Sequence, residues 1–277
     1  MTQTAATVKN IDKVSSTEIL LELINSTEEE SRMYYHNMYN YSLYNTSLLA
    51  YQMRLHGFKI SPCASFSKWN KMGYMVQRGS KSMSVLAPST FKKIEEDEKT
   101  HEKVEKTYIK GFHLRSGVFC QAQTTCKNFD NDELKKIKGF NFAKALKELK
   151  INLVDFEYAN GNCGGYATHN REIAINSLIP DSDKVHTLFH EIAHIVLKHT
   201  ESDDDTARNI KEFEADTTAY LIMKLIGMDS EKLKVNTKHY IKNWVGSDKK
   251  LTELLTETRV QKMLKAVKTI ITSGASN

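Results

Sequence analysis

The stretch Thr187-Leu-Phe-His-Glu-Ile-Ala-His194 contains a complete H-E-x-x-H motif, and it is the part of the chain that decides the fold. On a helix, His190 and His194 project from one face, one turn above the other. Two imidazoles so placed can hold one divalent metal ion. The carboxylate of Glu191 lies beside them, where it can take a proton from a water molecule that the metal activates. The motif therefore predicts the metal-binding helix of a zinc hydrolase.

A catalytic zinc ion needs a third protein ligand and one position left open for water. Eighteen residues after the motif comes Glu212-Phe-Glu-Ala-Asp216, inside a segment with helical periodicity, residues 207–226. This segment resembles the second motif of the gluzincin peptidases, in which the first Glu is the third ligand and the later Asp orients a ligand histidine. The resemblance implies that Glu212 is the ligand and that Asp216 supports a histidine. Glu214 is expected to point elsewhere.

An ordinary amphipathic helix can carry the same spacing by chance, so a bare H-E-x-x-H leaves a purely structural interpretation open. The second motif at a suitable distance favours the metal site, as do the apolar residues available to bury the helix. His186 also lies on the His190 face, and His199 follows closely. Neither is needed as a ligand, and both are predicted to be surface histidines. The apolar residues are Leu188, Phe189, Ile192, Ile195, Val196 and Leu197.

The composition limits the class of protein. A chain of 277 residues can form one large or two ordinary domains, and 40% hydrophobic with 26% charged residues is typical of a soluble globular protein. No apolar run is long enough to cross a membrane, and the N-terminus lacks the apolar core of a signal peptide. These features predict a cytoplasmic protein without a membrane partner. The four cysteines form no C-x-x-C and are predicted to be free thiols: Cys63, Cys120, Cys126 and Cys163.

The segment from Ser31 to Ile94 contains no acidic residue. Its positive charge would attract polyanions, and interleaved aromatic rings could stack on the bases of a single strand. Many of these rings must also fill a core, so composition leaves both interpretations open. Tyr44, Leu48 and Met53, for example, fit the core stripe of a helix. The basic residues are Arg32, Arg54, Lys59, Lys68, Lys71, Arg78, Lys81, Lys92 and Lys93.

Several residues of this segment stand in the order of a known domain. They are Tyr41-Ser-x-x-Asn45, Gln52, Trp69, Gly73, Val76-Gln-Arg-Gly-Ser-Lys81, Ala87-Pro88 and Phe119 to Thr124. The order resembles the N-terminal domain of ArdC-type antirestriction proteins, which binds single-stranded DNA and is carried by plasmids, integrative elements and phages. The family has an additional cation in its V-x-x-G-x-K segment, where this chain has Gln77 and Ser80. The predicted DNA contacts are Trp69, Arg78, Lys81, Lys92 and Lys93.

The pattern in the N-terminal half predicts helices and two strand pairs. A capping box at Ser26-x-x-Glu29 would begin a helix that runs toward Met38, and a second helix would span Ser42 to His56 and stop before Gly57. The other predicted elements are a helical turn at Ser67–Met72, strands at Tyr74–Gln77 and Ser82–Leu86 around a turn, a solvated insertion at Glu95–Lys106, and strands at Thr107–Leu114 and Val118–Gln121.

In the C-terminal half, a hairpin is predicted just before the metal helix, and Asp181-Ser-Asp183 is predicted to cap that helix. The strand preceding such a helix often lies at the sheet edge, where an extended substrate can add as another strand. The string Tyr240-Ile-x-x-Trp244, followed by Lys249-x-Leu251, also resembles the ArdC C-terminal region. The other predictions are a helix at Asn141–Lys150, a strand at Ile151–Tyr158, a turn at Asn160–Gly165, hairpin strands at Tyr166–Thr168 and Glu172–Asn176, a solvated connection at Glu201–Asp205, and helices at Thr237–Val245 and Leu251–Thr272.

Together these patterns predict an α+β protein. It would comprise an N-terminal extension (1–25), a small α+β single-stranded DNA-binding domain (26–126), a zincin-like, gluzincin metallopeptidase domain with a mostly helical C-terminus related to the ImmA/IrrE group (127–273), and a tail (274–277). The predicted cofactor is Zn²⁺, held by His190, His194 and Glu212, with Glu191 as the general base. Candidates for stabilising the oxyanion are Tyr166, His169 and Tyr220.

Three functions fit these parts. The first is an antirestriction-type protein of a mobile element or phage that binds single-stranded DNA and cleaves an unidentified protein substrate. The second is a regulatory protease, resembling ImmA, that cleaves a repressor. The third is a DNA-binding protein with a structural metal site and no peptidase turnover. The intact Glu191 argues against the third.

Overall fold

The computed structural model describes residues 14–96, 103–127, 139–159, 163–228 and 255–276. Its mixture of helices and strands confirms the α+β class. The described residues form two compact units: the first unit holds residues 48–127, and the second unit holds residues 14–47 together with everything from residue 139 onward. The predicted boundary between residues 25 and 26 does not coincide with this division, because the N-terminal helices pack within the second unit.

The described residues contain eight α-helices and eight strands. In chain order they are α1 (Ser16–Ile24), α2 (Glu28–Asn37), α3 (Leu43–Leu55), β1 (Cys63–Ser65), α4 (Phe66–Lys71), β2 (Met83–Glu96), β3 (Lys103–Cys120), β4 (Gly139–Phe140), α5 (Phe142–Glu148), β5 (Asn152–Phe156), β6 (Gly165–Ala167), β7 (Glu172–Asn176), α6 (Asp181–Val196), α7 (Arg208–Leu225), α8 (Glu257–Gly274) and β8 (Ala275–Ser276).

A long antiparallel hairpin of β2 and β3 forms most of the first unit's sheet, whose strand order is β1-β3-β2. The predicted strand pairs are wrong. Residues 83–86 pair with β3 and not with residues 74–77, which contribute a single bridge between Val76 and Thr124. The described part of the predicted insertion at 95–106 also continues both strands. Most side chains of β3 are exposed, so the alternation that a buried strand face imposes on a sequence is missing there.

The helix α3 confirms the predicted core stripe, with Leu49 and Met53 fully buried, and it ends before Gly57, which has a φ of +72°. Gln52 on the same helix is also fully buried. Its carboxamide nitrogen donates to the carbonyl of Ser84 at 2.8 Å, and its oxygen accepts from the backbone N–H of Ser84 at 2.8 Å. This polar residue of the ArdC-like motif therefore fixes the start of β2 within the core of the first unit.

The N-terminal helices begin at capping boxes, but not at the predicted one. Helix α2 begins after Thr27, whose side chain accepts from the N–H of Glu30 while the Glu30 carboxylate accepts from the N–H of Thr27 at 2.8 Å. The hydroxyl of Ser26 donates instead to the carbonyl of Leu23 at 2.8 Å, at the end of α1. The predicted box at Ser26 is thus one residue early. Helix α1 was not predicted, although Ser15 and Glu18 form the same kind of box.

Two lysines attach these helices to the rest of the second unit. Lys224 of α7 is buried and donates from Nζ to the carbonyls of Ile24, at 3.1 Å, and Ser26, at 2.6 Å. Lys268 of α8 donates to the carbonyls of Met38 and Tyr41, and burial lowers the pKa of its ammonium group. Carbonyls at a helix C-terminus lack partners within the helix, and a cation also complements the helix dipole. The lysines therefore satisfy the ends of α1 and α2.

Replacing Lys224 by Met is expected to lower the free energy of unfolding by about 1–3 kcal/mol, because buried carbonyls lose their donor while the aliphatic volume is kept. Urea unfolding of the full chain, followed by circular dichroism, measures this. Lys265→Met, an exposed position on α8, is the matched control and should shift stability by no more than about 0.5 kcal/mol. Equal unfolding midpoints for the two variants would show that the Lys224 contacts do not stabilise the fold.

The second unit contains a three-stranded sheet of order β5-β7-β6, with β5 and β7 parallel and β6 and β7 antiparallel. The predicted hairpin before the metal helix is confirmed. However, β7, which directly precedes α6, lies in the centre of this sheet, and β6 lies at an edge. The expectation that the preceding strand is the edge strand is therefore wrong. Three successive residues of this central strand are buried: Ile173, Ala174 and Ile175.

Helix α6 has Pro180 at its N-cap position without a side-chain hydrogen bond, so the predicted cap at residues 181–183 is wrong. Asp181 and Asp183 lie instead in the first turn, where negative charge still favours the helix dipole. The connection after α6 is mostly exposed, as predicted. Within this connection, Asp204 accepts a hydrogen bond from the N–H of Thr206 and pairs with Lys211. Burial alone would raise the pKa of Asp204, but these contacts lower it to about 2.

The predicted tail is wrong for residues 274–276. Helix α8 continues to Gly274, and β8 then pairs antiparallel with β4. A Cβ atom at Gly274 would lie 2.4 Å from the ring of Phe140, so only glycine permits this close approach. The predicted helix at Asn141–Lys150 is confirmed by α5, and the described part of the final helix by α8. The helix at Thr237–Val245 and residues 160–162 of the predicted turn lie outside the described residues.

Candidate metal centre

Packing of α6 against α7 brings the three predicted ligands together. The Nε2 atoms of His190 and His194 are 3.0 Å apart, and Oε2 of Glu212 lies 3.3 Å from the first and 3.7 Å from the second. Ligands held at zinc distances in a tetrahedron lie roughly 3.4 Å from one another. The spacing and the N, N, O donor set therefore fit a divalent metal ion such as zinc. Among the described residues this is the cluster with metal-binding geometry.

Asp216 contacts the first predicted ligand, His190. Its Oδ1 atom lies 2.6 Å from Nδ1 of His190, so the other ring nitrogen faces the cluster. Burial disfavours a charged imidazole, but the hydrogen bonds to Asp216 and Glu212 outweigh it and raise the pKa of His190 to about 10. The hydrogen bonds from His190 and His194 in turn lower the pKa of Glu212 well below its ordinary value. The carboxylates thus make this a site that favours positive charge.

Glu191 is buried, with 7% of its surface exposed, and it lies on α6 between the two histidines. Burial raises the pKa of its carboxyl group and outweighs His190 and His194, which lower it. The carboxylates of Glu212 and Asp216 act in the same direction as burial. A carboxylate in such surroundings is a stronger base than an exposed one. The sequence motif alone indicates its role but not its burial.

His199 and Glu214 form a second buried pair, and the prediction of a surface position for His199 is wrong. Nε2 of His199 lies 2.8 Å from Oε2 of Glu214, and only 1% and 3% of the two side chains are exposed. Nδ1 of His199 lies 3.1 Å from Nδ1 of His194. Burial lowers the pKa of His199 in spite of the Glu214 carboxylate. Glu214 points away from the ligand cluster, as expected from its position two residues after Glu212.

His186 is partly buried rather than fully exposed, and burial lowers the pKa of its ring. Its ring centroid lies 6.4 Å from that of His190, one turn along the helix. The oxyanion candidates lie in different settings: Tyr166 is 45% exposed on the edge strand β6, while Tyr220 is fully buried in α7. Their assignment stays a prediction, as does that of His169.

The edge strand β6 lies close to α6 because glycine occupies the contact. A Cβ atom at Gly165 would lie 2.8 Å from the carbonyl of Ala174 and 2.9 Å from Cγ2 of Thr187. Thr187 is the residue one turn before His190 on the metal helix. Gly165 therefore lets β6, which has no second partner among the described strands, lie close to the helix that carries the predicted ligands. The sequence predicted this residue only as the end of a turn.

The predicted DNA contacts fall into three groups. Trp69 is fully buried, and its indole Nε1 donates to the carbonyl of Phe119 at 2.9 Å, so its prediction as a DNA contact is wrong. Lys92 and Lys93 are exposed, but they pair with carboxylates at 2.6 and 3.0 Å. Arg78 and Lys81 are exposed, and within the described residues no ion pair involves them.

The side-chain amides of a buried Gln123 and an exposed Gln77 support the loop that carries Arg78 and Lys81. Gln123 is 4% exposed, and its side chain donates to the carbonyl of Lys81 at 2.7 Å. The side chain of Gln77 donates to the carbonyl of Thr124 at 3.0 Å, and Gly79 takes a φ of +86°. These motif residues therefore shape the loop, and Arg78 and Lys81 at its tip are exposed to solvent.

These geometries define the chain as an α+β protein with a metallopeptidase-like centre in its second unit. Residues 4–119 match the family described as the N-terminal domain of anti-restriction factor ArdC, and residues 146–251 match the family described as the IrrE N-terminal-like domain, a peptidase type. The first matched region is thus similar to the ArdC N-terminal family, and the second is similar to the IrrE-like family. The predicted resemblance is confirmed in both.

Individual relatives are distant. An uncharacterized protein of Bacillus anthracis is 25% identical over 233 residues, which cover 69% of this chain and 39% of that protein. The chain therefore spans about two fifths of this relative's length. Two crystal structures of the antirestriction ArdC protein from the R388 plasmid, one metal-free and one with Mn(II) bound, are each 13% identical to the present chain. Their TM-scores are 0.45 and 0.43. They align over 84% and 91% of this chain, and over 83% and 96% of the ArdC chains. None of the described helices is long and apolar enough to span a bilayer.

Proposed function

We propose that this chain is a single-stranded DNA-binding, antirestriction-type protein of a mobile element or phage and that its second unit is a zinc-dependent peptidase. The observation that carries the peptidase proposal is the convergence of His190, His194 and Glu212 beside a buried Glu191. The match to the IrrE-like family supports it, and the match to the ArdC N-terminal domain supports the DNA partner.

The chain's own residues account for the proton transfers of peptide hydrolysis. A zinc ion held by the three ligands would polarise the scissile carbonyl and lower the pKa of a water molecule toward ~7. Glu191, which burial makes more basic, takes the proton of the attacking water and delivers it to the leaving amine. Asp216 keeps His190 oriented with Nε2 toward the centre.

An extended segment of the protein substrate would bind along β6. This strand pairs with β7 on one side, and no described strand pairs with its other side. An unpaired strand edge offers backbone donors and acceptors to an added strand, which gives affinity without demanding a particular sequence. The contact of Gly165 with α6 keeps this edge near His190.

For DNA binding, the double variant Arg78→Ala with Lys81→Ala is expected to weaken single-strand affinity and to reduce the slope of log affinity against log salt. Two lost phosphate contacts correspond to a slope change of about 1.4 for a single strand. Fluorescence anisotropy with a labelled oligonucleotide across a salt series measures both quantities.

The matched control removes two exposed lysines of the second unit, Lys147→Ala with Lys265→Ala, and so changes the net charge equally. This control should keep the wild-type slope. If both double variants behave alike, the loop does not contact DNA and only net charge matters.

A further inference from the structure

The second ligand histidine, His194, has a partner on the side opposite the ligand cluster. Its Nε2 atom faces His190 at 3.0 Å, while its Nδ1 atom faces Nδ1 of His199 at 3.1 Å. His199 in turn places Nε2 at 2.8 Å from the carboxylate of Glu214. The three side chains form a continuous hydrogen-bonded row that begins at the ligand cluster and ends at a buried acid.

The backbone fixes His199 over His194. Helix α6 ends with Leu197 as its C-cap, and Lys198 adopts a φ of +64°. The N–H of His199 then donates to the carbonyl of His194 at 2.9 Å, and the N–H of Lys198 donates to the carbonyl of Ile195 at 3.1 Å. This pair of bonds is a Schellman motif, which turns the chain back over the last helical turn. The position of His199 therefore follows from the helix end and not from a flexible loop.

Hydrogen-bond chemistry assigns a direction to the row. A histidine that ligates a metal through Nε2 carries its proton on Nδ1, so Nδ1 of His194 is a donor. Nδ1 of His199 must then accept, which puts the His199 proton on Nε2. That N–H points at Glu214, which as a carboxylate can only accept. Every polar atom of the row then has a suitable partner.

We propose that His199 is a positioning residue of the metal centre, which holds His194 in its ligating tautomer and orientation, and that Glu214 fixes the tautomer of His199. The inference rests on the proposed metal site. It gives the two ligand histidines different supports: His190 contacts the carboxylate of Asp216 directly at 2.6 Å, whereas His194 reaches a carboxylate through a second imidazole. Outer partners of this kind set ligand geometry and basicity.

Helix α8 completes the row from its far end. Nε of Arg259 lies 3.3 Å from Oε1 of Glu214, and Nζ of Lys262 lies 3.9 Å from Oε2. Only 3% of the Glu214 side chain is exposed, so these two cations are partners that it finds inside the protein. The C-terminal helix therefore supports the metal centre through Glu214, although none of its residues reaches the ligand cluster.

The first test measures zinc affinity of the full chain by competition with a chromogenic chelator. His199→Leu is expected to weaken binding by roughly 10–100-fold, the range for lost outer-shell partners. His199→Gln should recover part of this loss, since an amide can accept from His194 and donate to Glu214. The matched control is His186→Leu, one turn before His190 on the same helix, and it should keep wild-type affinity.

Thermal unfolding of the metal-free wild type and variants shows whether a substitution weakens the fold itself. A variant that unfolds like the wild type but binds zinc more weakly has lost support of the ligand alone. If the wild type binds no zinc, the proposed metal site fails. If the wild type binds zinc and a folded His199→Leu binds it equally well, the metal site stands and only the role of His199 is overturned.

The second test needs no variant. Two-bond ¹H–¹⁵N correlation spectra of the zinc-loaded, ¹⁵N-histidine-labelled full chain report which ring nitrogen carries each proton. The expected result is a proton on Nδ1 of His194 and on Nε2 of His199. A proton on Nδ1 of His199 would overturn the proposal, because that nitrogen could then no longer accept from His194. This measurement also decides the question if His199→Leu does not fold.

Discussion

Replacing Glu191 by Gln is expected to leave folding and zinc binding intact while lowering peptide hydrolysis by on the order of 10²–10⁴-fold, the usual contribution of a general base. The amide has nearly the same shape as the carboxylate and can occupy the same buried position, but it cannot take a proton from water. Glu191 is also absent from the three-residue ligand cluster, so metal binding should not depend on it.

Hydrolysis of a fluorogenic peptide library measures the peptidase rate, and elemental analysis measures the zinc content. Glu201→Gln, an exposed position in the connection after α6, is the matched control and should behave as wild type. If Glu191→Gln hydrolyses peptides at the wild-type rate, Glu191 is not the base. If neither the wild type nor Glu191→Gln hydrolyses any peptide and both retain the antirestriction effect, the centre is a structural metal site.

Replacing His190 by Ala is expected to remove zinc binding, with a loss that exceeds the roughly 10–100-fold of an outer-shell partner. This variant deletes one of the three proposed ligands. It also leaves the carboxylate of Asp216 without the imidazole that lies 2.6 Å away. The two remaining proposed ligands are His194 on α6 and Glu212 on α7. Two protein ligands are too few for a tetrahedral zinc site, which needs three and a water molecule.

Zinc stoichiometry after dialysis against a weak chelator gives the readout, and His186→Ala is the control on the same helix. The wild type and the control should retain zinc, while His190→Ala should not. A wild type that is fully folded and binds no zinc would refute the metal site itself. Retention of zinc by His190→Ala would instead move the site away from the H-E-x-x-H motif.

The proposed ligands could be brought together from the sequence because local geometry sets which residues share a helix face, while the resemblance to the gluzincin motif indicated Glu212. His190 and His194 share a helix face whenever that segment is helical, and Glu212 and Asp216 share a face of α7 for the same reason. The periodic apolar residues that indicated these helices are those that bury them, such as Phe189 and Ile192. The core stripe of α3 follows the same logic.

The β2–β3 hairpin could not be predicted in its full length. Its strands are held by backbone hydrogen bonds, which any sequence can make, and most of its side chains face solvent. Charge and aromatic content misled for the opposite reason: Trp69 stands in a basic segment, yet its ring is in the core. Burial depends on what packs above a residue, and that partner is distant in the sequence.

The amino-acid sequence by itself determined the α+β class and the helix that carries the H-E-x-x-H motif, because each follows from a hydrophobic period or from a short motif. The resemblance of residues 212–216 to the gluzincin motif indicated Glu212 as the third proposed ligand. Only the tertiary structure decided that α1 and α2 belong with the second unit, that β6 and not β7 lies at the sheet edge, and that His199 meets Glu214. Each of these joins elements far apart in the chain, as the bond from Lys224 to Ile24 does across the second unit. Such pairings depend on complementary surfaces and on buried polar groups finding partners, and no local period records them.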